Sequence, residues 1–412
     1  MRQLRNVVLV LLLLLNCGSD SKEYAKVTDL DERHVSPDLL SEDVFSLEWV
    51  FGGEYDTHED EYLLAQPRGI AVNDNGDILI SDEYRIKVFD KDGNEKKIFG
   101  GQGQGPGEFE SNPSLYVSPT GYLTVREMGG LYTYVSLFAP DFSYIEKKKI
   151  ENNIRIKEYL KSKNFDSNDL QFIARYRALN TTEKVYEAEL SRQERGSEIT
   201  VYAVILYENA DSFFQLLFCK KPGTIAYSSG SAGSLSLGRI HWELLPNRRL
   251  LYINTDEDVH NEQTGALYTF HIVSLDTFED KKIAHQFTPV EFPESSTEPR
   301  PPIINPITGK PMGESKSLKA LREAMKDKKY MASVGDIKVD QNYVFVFTYL
   351  KNDSDETYTD IFDIDSGIYI TSAYFPFVPN VIKNGYAYER SRDKEGFAEV
   401  RKYKVNPAVY GK

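Results

Sequence analysis

The sequence predicts an all-β fold, a single six-bladed β-propeller with a helical insertion, and three observations carry that expectation. The 412 residues include 27 Tyr and 22 Phe against 2 Trp, a composition weighted towards strand-forming aromatics. A Phe-Gly-Gly marker stands at Phe51 and again at Phe99, and the Pro that follows each stands at Pro67 and Pro113. That is a spacing in the forties, and repeats of this length belong to propellers or solenoids. Between the markers lie four short strands divided by turn residues, the content of one propeller blade.

The chain begins with two arginines, Arg2 and Arg5, followed by the apolar run Val7 to Leu15. A charged start and a short apolar stretch make an export signal. Nine helical residues rise only about 13 to 14 Å, far short of a bilayer core of about 30 Å, so a spanning helix is not expected. The run ends in Leu14-Leu15-Asn16-Cys17-Gly18-Ser19, which resembles the lipobox of bacterial lipoproteins. The resemblance implies residues 1–16 as a signal peptide, cleavage before Cys17 and lipidation of Cys17. Asn16 departs from the small residue usual before that Cys, and an ordinary secretory signal is the alternative. Acyl chains on Cys17 hold a protein at a membrane without a spanning segment. Residues 17–43 are polar and acidic and read as a flexible tether. The expected address is the cell envelope, as an outer-membrane lipoprotein facing either the periplasm or the surface.

The propeller is expected over residues 44–408. In its first complete blade, Gly69-Ile70-Ala71-Val72 is a strand and Asn73-Asp74-Asn75-Gly76-Asp77 a tight turn. Ile78 to Asp82 is the second strand. Arg85 to Asp90 alternates charged and apolar residues, the period of a half-buried strand, and Lys97-Ile98-Phe99 is the fourth. These residues resemble the NHL-repeat propellers, through Pro67, Gly69, Asp77, Asp82, Val88, Phe89, Phe99 and Gly100. Gly103 to Phe109 is similar to a junction of six-bladed propeller lipoproteins. The resemblance covers residues 45–125 closely and implies a six-bladed propeller of the NHL/TolB-like kind.

Further blades follow at Leu115–Ile150, Phe172–Phe218, Gly238–Phe287 and Val334–Phe375. Residues Val378 to Val405 supply only three strands, so Phe45 to Phe51 is expected to complete the last blade and close the ring. Six blades are counted, with five or seven as alternatives. The prolines at 299, 301, 302, 306 and 311 exclude a sheet interior. Ser315 onward reads as a helix with Leu318, Leu321, Ala324 and Met325 on one face. This insertion, residues 299–330, covers exposed strands or forms a lid over the central mouth.

Chemistry is sparse. The formal charge of −14 disfavours nucleic acid, which needs a basic footprint. Two cysteines exclude a disulfide framework and a zinc ribbon, and Cys219, in an apolar run, reads as an inert buried thiol. Gly100 to Gly107 lacks the Lys-Ser/Thr of a phosphate loop, and Ser231 lacks a nucleophile elbow. The histidines at 34, 58, 241, 260, 271 and 285 have no metal-site spacing. The acidic loops around His58 to Glu61, Asp256 to Asp258 and Asp353 to Glu356 follow no calcium-loop pattern. Tyr55, Tyr62, Tyr84, Tyr132 and Tyr134 are candidates for a contact face. No catalytic, cofactor or metal residue is named, and no cofactor is expected. The reading is a lipid-anchored module binding a protein, peptide or carbohydrate ligand. The alternative is a metal-dependent hydrolase or lactonase with its site on the axis.

Overall fold

The computed structural model describes residues 44–53, 59–129, 132–150, 154–165, 170–193, 198–211, 214–220, 225–226, 240–261, 265–292, 298, 303–304, 309, 311–312 and 329–412. Cys17, the signal and tether segments, Ser231 and the expected helix from Ser315 lie outside the described residues.

Six antiparallel sheets follow one another around a ring. Blade 1 comprises Pro67–Val72, Ile78–Asp82, Arg85–Phe89 and Glu95–Gly100. Blade 2 comprises Ser114–Val117, Leu123–Gly129, Tyr132–Phe138 and Tyr144–Lys149. Blade 3 comprises Leu170–Ala178, Lys184–Gln193, Glu198–Glu208 and Phe214–Lys220. Blade 4 comprises Ile240–Leu245, Arg249–Asn254, Gly265–Ser274 and Asp280–Phe287. Blade 5 comprises Val334–Asp340, Tyr343–Lys351, Thr357–Asp363 and Ile368–Phe375. Blade 6 takes Val381–Lys383, Tyr386–Arg392 and Ala398–Val405 from the C-terminal end and Phe45–Gly52 from the N-terminal end.

That shared blade is the expected closure. Phe45 pairs with Val405 and Gly52 with Glu399. Phe51 is buried against Phe89 of blade 1, with ring centroids 4.4 Å apart, so the same strand also seals the neighbouring blade. Gly52 has φ +77°, and a Cβ there would lie 2.3 Å from the Ala398 carbonyl oxygen. Only glycine accepts both conditions without strain.

The core is a ring of apolar layers, each shared by adjacent blades. Leu79, Val88 and Leu123 join blades 1 and 2, and Val135, Tyr176 and Ala188 join blades 2 and 3. Val185, Trp242 and Leu250 join blades 3 and 4, and Ile253, Phe270 and Ile337 join blades 4 and 5. Phe347, Ile382 and Val405 join blades 5 and 6. Alternation places one set of side chains of each strand on each neighbour.

The helix Ile154–Ser162, between blades 2 and 3, was not anticipated. Ile156 and Leu160, one turn apart, are buried in the layer between those blades. Cys219, on the fourth strand of blade 3, is half-buried and packs against the layer between blades 2 and 3.

Each blade turns from its first to its second strand within a few residues. The six turns, at 73–77, 118–122, 179–183, 246–248, 341–342 and 384–385, share one face of the disc. The connections between blades start from the opposite face. The base of the 299–330 insertion lies there, fastened by Phe292 N donating to Lys329 O (3.2 Å) and Met331 N to Val290 O (2.8 Å).

Candidate functional site

The first strands of all six blades surround an axial cavity of about 550 Å³, within the range typical of small-molecule pockets. Ile70, Leu115, Arg177, Leu244, Val339 and Val381 supply one wall residue from each blade in turn. Asp74, Pro119, Pro246, Gln341, Asn342 and Asn384 come from the tight turns, so the cavity opens on the turn face. Its inner strands supply aliphatic side chains, and carboxamides and ion pairs make the rest of its lining nearly as polar as it is apolar.

One side is built around Arg177. Its guanidinium lies 4.1 Å from the Tyr116 ring and 4.5 Å from the Trp242 ring, between blades 2 and 4. Nη2 donates to Glu243 Oε1 at 2.8 Å, Nη1 donates to Glu243 Oε2, and Nη1 also reaches Trp242 O at 3.2 Å. Burial pulls the Arg177 pKa down, but the Glu243 carboxylate outweighs it and the net direction is up. Burial pushes the Tyr116 phenol well above its usual range. This group is a clasp that fixes three blades and shapes the wall.

Across the cavity, blades 5 and 6 present Lys338 and Lys383. Lys338 Nζ contacts Asp336 at 2.9 Å, and Lys383 Nζ contacts Asp74 of blade 1 at 2.5 Å. The lysine side chains are 20% and 21% exposed, whereas Asp336 and Asp74 are 42% and 63% exposed. These partners stand in solvent, where an ion pair is worth only about 0 to 1 kcal/mol.

A belt of polar ties runs around the turn face. Thr120 Oγ1 donates to Leu179 O between blades 2 and 3. Arg248 grips Glu183 with two bonds of 2.6 Å and Asp276 with one of 2.7 Å, between blades 3 and 4. Arg249 pairs with Asp365 at 2.7 Å between blades 4 and 5. Asp340 accepts from Asn384 N, Gly385 N and Tyr410 Oη at 2.7 to 2.8 Å, tying blade 5 to blade 6 and the C-terminal turn. The Arg248 bonds hold the Glu183 pKa down to about 2. Sequence reading missed this belt, because its partners are distant in the chain, 65 residues apart for Glu183 and Arg248 and 70 for Asp340 and Tyr410.

The residues singled out from sequence do not converge on the cavity. Gly100 to Phe109 is a junction, as expected: Phe109 N donates to Gly101 O (2.8 Å) and Gly103 N to Phe109 O (3.1 Å). Asn73 and Asp77 close their own turn, with Asp77 N on Asn73 Oδ1 at 2.8 Å. His271 stacks on Tyr252 and is held by Asp280 at 2.7 Å and Glu257 at 2.9 Å, a local arrangement within blade 4. Burial opposes its protonation, yet the two carboxylates win and its pKa is raised. His285 stacks on Tyr369 and lies 3.8 Å from buried Asp360, whose carboxylate also takes Tyr268 Oη at 2.9 Å. His260 stacks on Tyr330, and His241 is buried in blade 4. Asp258 caps Ser333 through bonds of 2.8 and 2.7 Å. Among the described residues no group of His, Cys, Asp and Glu is placed to hold a metal ion. His34, His58 and Tyr55 lie outside them. Tyr62 packs on Phe89 and Tyr134 lies under Lys147, so these two serve packing rather than a contact face.

The sequence model of the NHL repeat family matches residues 64–89, the first three strands of blade 1. No curated protein sequence matches the chain. Among solved structures, similar folds include the β-propeller domain of the Trilobed protease from Pyrococcus furiosus. It has 9% identity over 83% of this chain and 97% of that one, at a TM-score of 0.33. A protein of unknown function from Bacteroides caccae has 10% identity over 76% of this chain and 83% of that one, at 0.31. An uncharacterized protein from Listeria monocytogenes has 8% identity over 72% and 80%, at 0.27. The chain is a six-bladed β-propeller whose first complete blade carries an NHL repeat.

Proposed function

We propose that this protein is an exported, lipid-anchored propeller that serves as a ligand- or protein-binding scaffold module at the cell envelope. The axial cavity carries the binding half of this reading. It is large enough for a small organic molecule, and every blade contributes to its wall. The signal-like start and Cys17 support the anchoring half.

The anchor has a chemical consequence. The chain contains two cysteines, so a thioether on Cys17 Sγ leaves Cys219 without a partner in the same chain. The anchored form therefore requires a Cys219 thiol, whereas a disulfide between the two cysteines excludes the anchor. Counting thiols in the denatured, membrane-extracted protein separates the two: one alkylated thiol at Cys219 supports the anchor, and none overturns it. In cell fractionation, wild type is expected with the envelope membranes and Cys17→Ala in the soluble fraction. For the binding half, a fragment library is screened by methyl NMR. Shifts confined to Ile70, Leu115 and Val339 support a ligand site, and a library that leaves those methyls unmoved removes it.

A further inference from the structure

We propose that the axial cavity binds small amphiphilic carboxylates, with the ammonium groups of Lys338 and Lys383 holding the carboxylate and the aliphatic wall holding the apolar body. This rests on the cavity being a ligand site and adds the chemical class.

Three observations converge. The inner strands place aliphatic residues, among them Ile70, Leu115 and Val339, beside polar ones, which suits a ligand with an apolar body and a polar end. Charge at the mouth is balanced: the three cations Arg177, Lys338 and Lys383 meet the carboxylates Glu243, Asp336 and Asp74 in turn. The whole chain carries −14, so a mouth with balanced charge repels an incoming anion less than the protein's surface as a whole does. The three cations also differ in availability. Arg177 is engaged with both Glu243 oxygens and the Trp242 carbonyl. Each lysine has three donors and pairs with one carboxylate, Asp336 or Asp74, which is itself exposed to solvent. A carboxylate entering the mouth can take the lysines' remaining donors as further charge-assisted bonds without breaking the pairs already there.

The ligand class excludes bare inorganic anions, which leave the aliphatic wall uncovered, and neutral apolar molecules, which leave the lysines unused. Free carboxylic acids and peptide C-termini share the required chemistry.

The test uses 4-phenylbutyrate and its neutral counterpart, 4-phenylbutanol, titrated calorimetrically into the purified protein. The acid is expected to bind at least about tenfold tighter, with affinity falling as salt is raised. Lys338→Met and Lys383→Met keep the aliphatic stem and remove the charge. Each is expected to weaken the acid by about three- to tenfold, and the double variant to abolish the preference over the alcohol. In wild type with ¹³C-dimethylated lysines, the acid should shift the Lys338 and Lys383 signals, a readout that needs no variant. An acetylated dipeptide with a free or amidated C-terminus separates peptide ends from simple acids. Equal binding of acid and alcohol overturns the ligand class while leaving the cavity as a ligand site. So does an acid preference that survives in the double variant. Failure of both probes, with library fragments still shifting Leu115 and Val339, removes only the class; failure of every fragment removes the site itself.

Discussion

At the scale of single residues, the disc is held by carboxylates that reach across blade boundaries. Glu183 is the clearest case. Its side chain is 9% exposed, and it accepts two bonds from Arg248 and further bonds from Tyr207 and Asn180. Arg248 takes φ +54°, an uncommon conformation for a residue with a side chain, and its grip on Glu183 and Asp276 over-determines it. The pH consequence follows from the depressed pKa. Glu183 is lowered from 4.5 to about 2, so its contribution is complete above the unfolded value and is lost as pH falls through the folded one. Arg248 is 38% exposed, which screens the pair, so the stake is about 1 to 2 kcal/mol rather than the full linkage value. Glu183→Gln is therefore expected to lower stability at pH 7 and to remove a matching part of the loss between pH 5 and pH 2. Urea melts across that range check both. His271 works on the other side of neutrality: its raised pKa gives stability that is present below 6.5 and lost as pH rises through the folded value.

At the scale of elements, one strand position does the same work in two blades. Asp82 closes the second strand of blade 1, and its carboxylate accepts Ala65 N at 3.0 Å and Gln66 N at 2.6 Å. Glu127 occupies the same place in the second strand of blade 2 and accepts Glu110 N at 2.6 Å. Each acid anchors the connection that enters its blade, and each faces a lysine, the buried Lys87 or the half-buried Lys147. Removing one partner of a buried pair strands the other charge, so Asp82→Ala is expected to cost about 3 to 5 kcal/mol. Calorimetric melting checks the cost, and hydrogen exchange should show residues 62–66 losing protection first. The Asp of the repeat pattern was visible in sequence because it recurs with its strand. The strands themselves were legible from short β-prone runs bounded by turn residues; the alternation of Arg85 to Phe89 marked a strand, but its half-buried reading did not hold, since Lys87 is buried with its ion pair to Asp82 at 2.7 Å. The helix Ile154–Ser162 was not, because a nine-residue element with two buried positions leaves almost no periodic signal. The belt on the turn face was illegible for a different reason: Glu183 and Arg248 meet only after two blades have formed. The axial cavity shares that reason, since its wall takes about one to three residues from each of six distant strands.

At the scale of the whole molecule, closure decides whether six weakly connected sheets behave as one body. Blades contact only their neighbours, so without a lock the ring has two open ends. The lock is the strand Phe45–Gly52, and the chain ends meet at it: Asn406 N donates to Val44 O at 3.0 Å. Its loss removes a blade strand, exposes the edge of Ala398–Val405 and takes Phe51 out of the layer with Phe89 and Val400. Phe51 alone is a large buried side chain, worth about 3 to 5 kcal/mol on truncation to Ala. A protein beginning at residue 54 is therefore expected to lose its single cooperative transition. Hydrogen exchange should then quicken first in blade 6 and blade 1, with blades 3 and 4 last to open. Its bare edge is also a pairing template, so light scattering should show association that the intact chain lacks. The decisive measurement is complementation. A synthetic peptide of residues 44–53, added in excess, is expected to bind the open ring and restore both the monomer and the cooperative melt. A peptide carrying Phe51→Ala should restore them far less well. If the shortened protein melts as cooperatively as the intact chain and remains monomeric, closure through blade 6 is not what unites the disc.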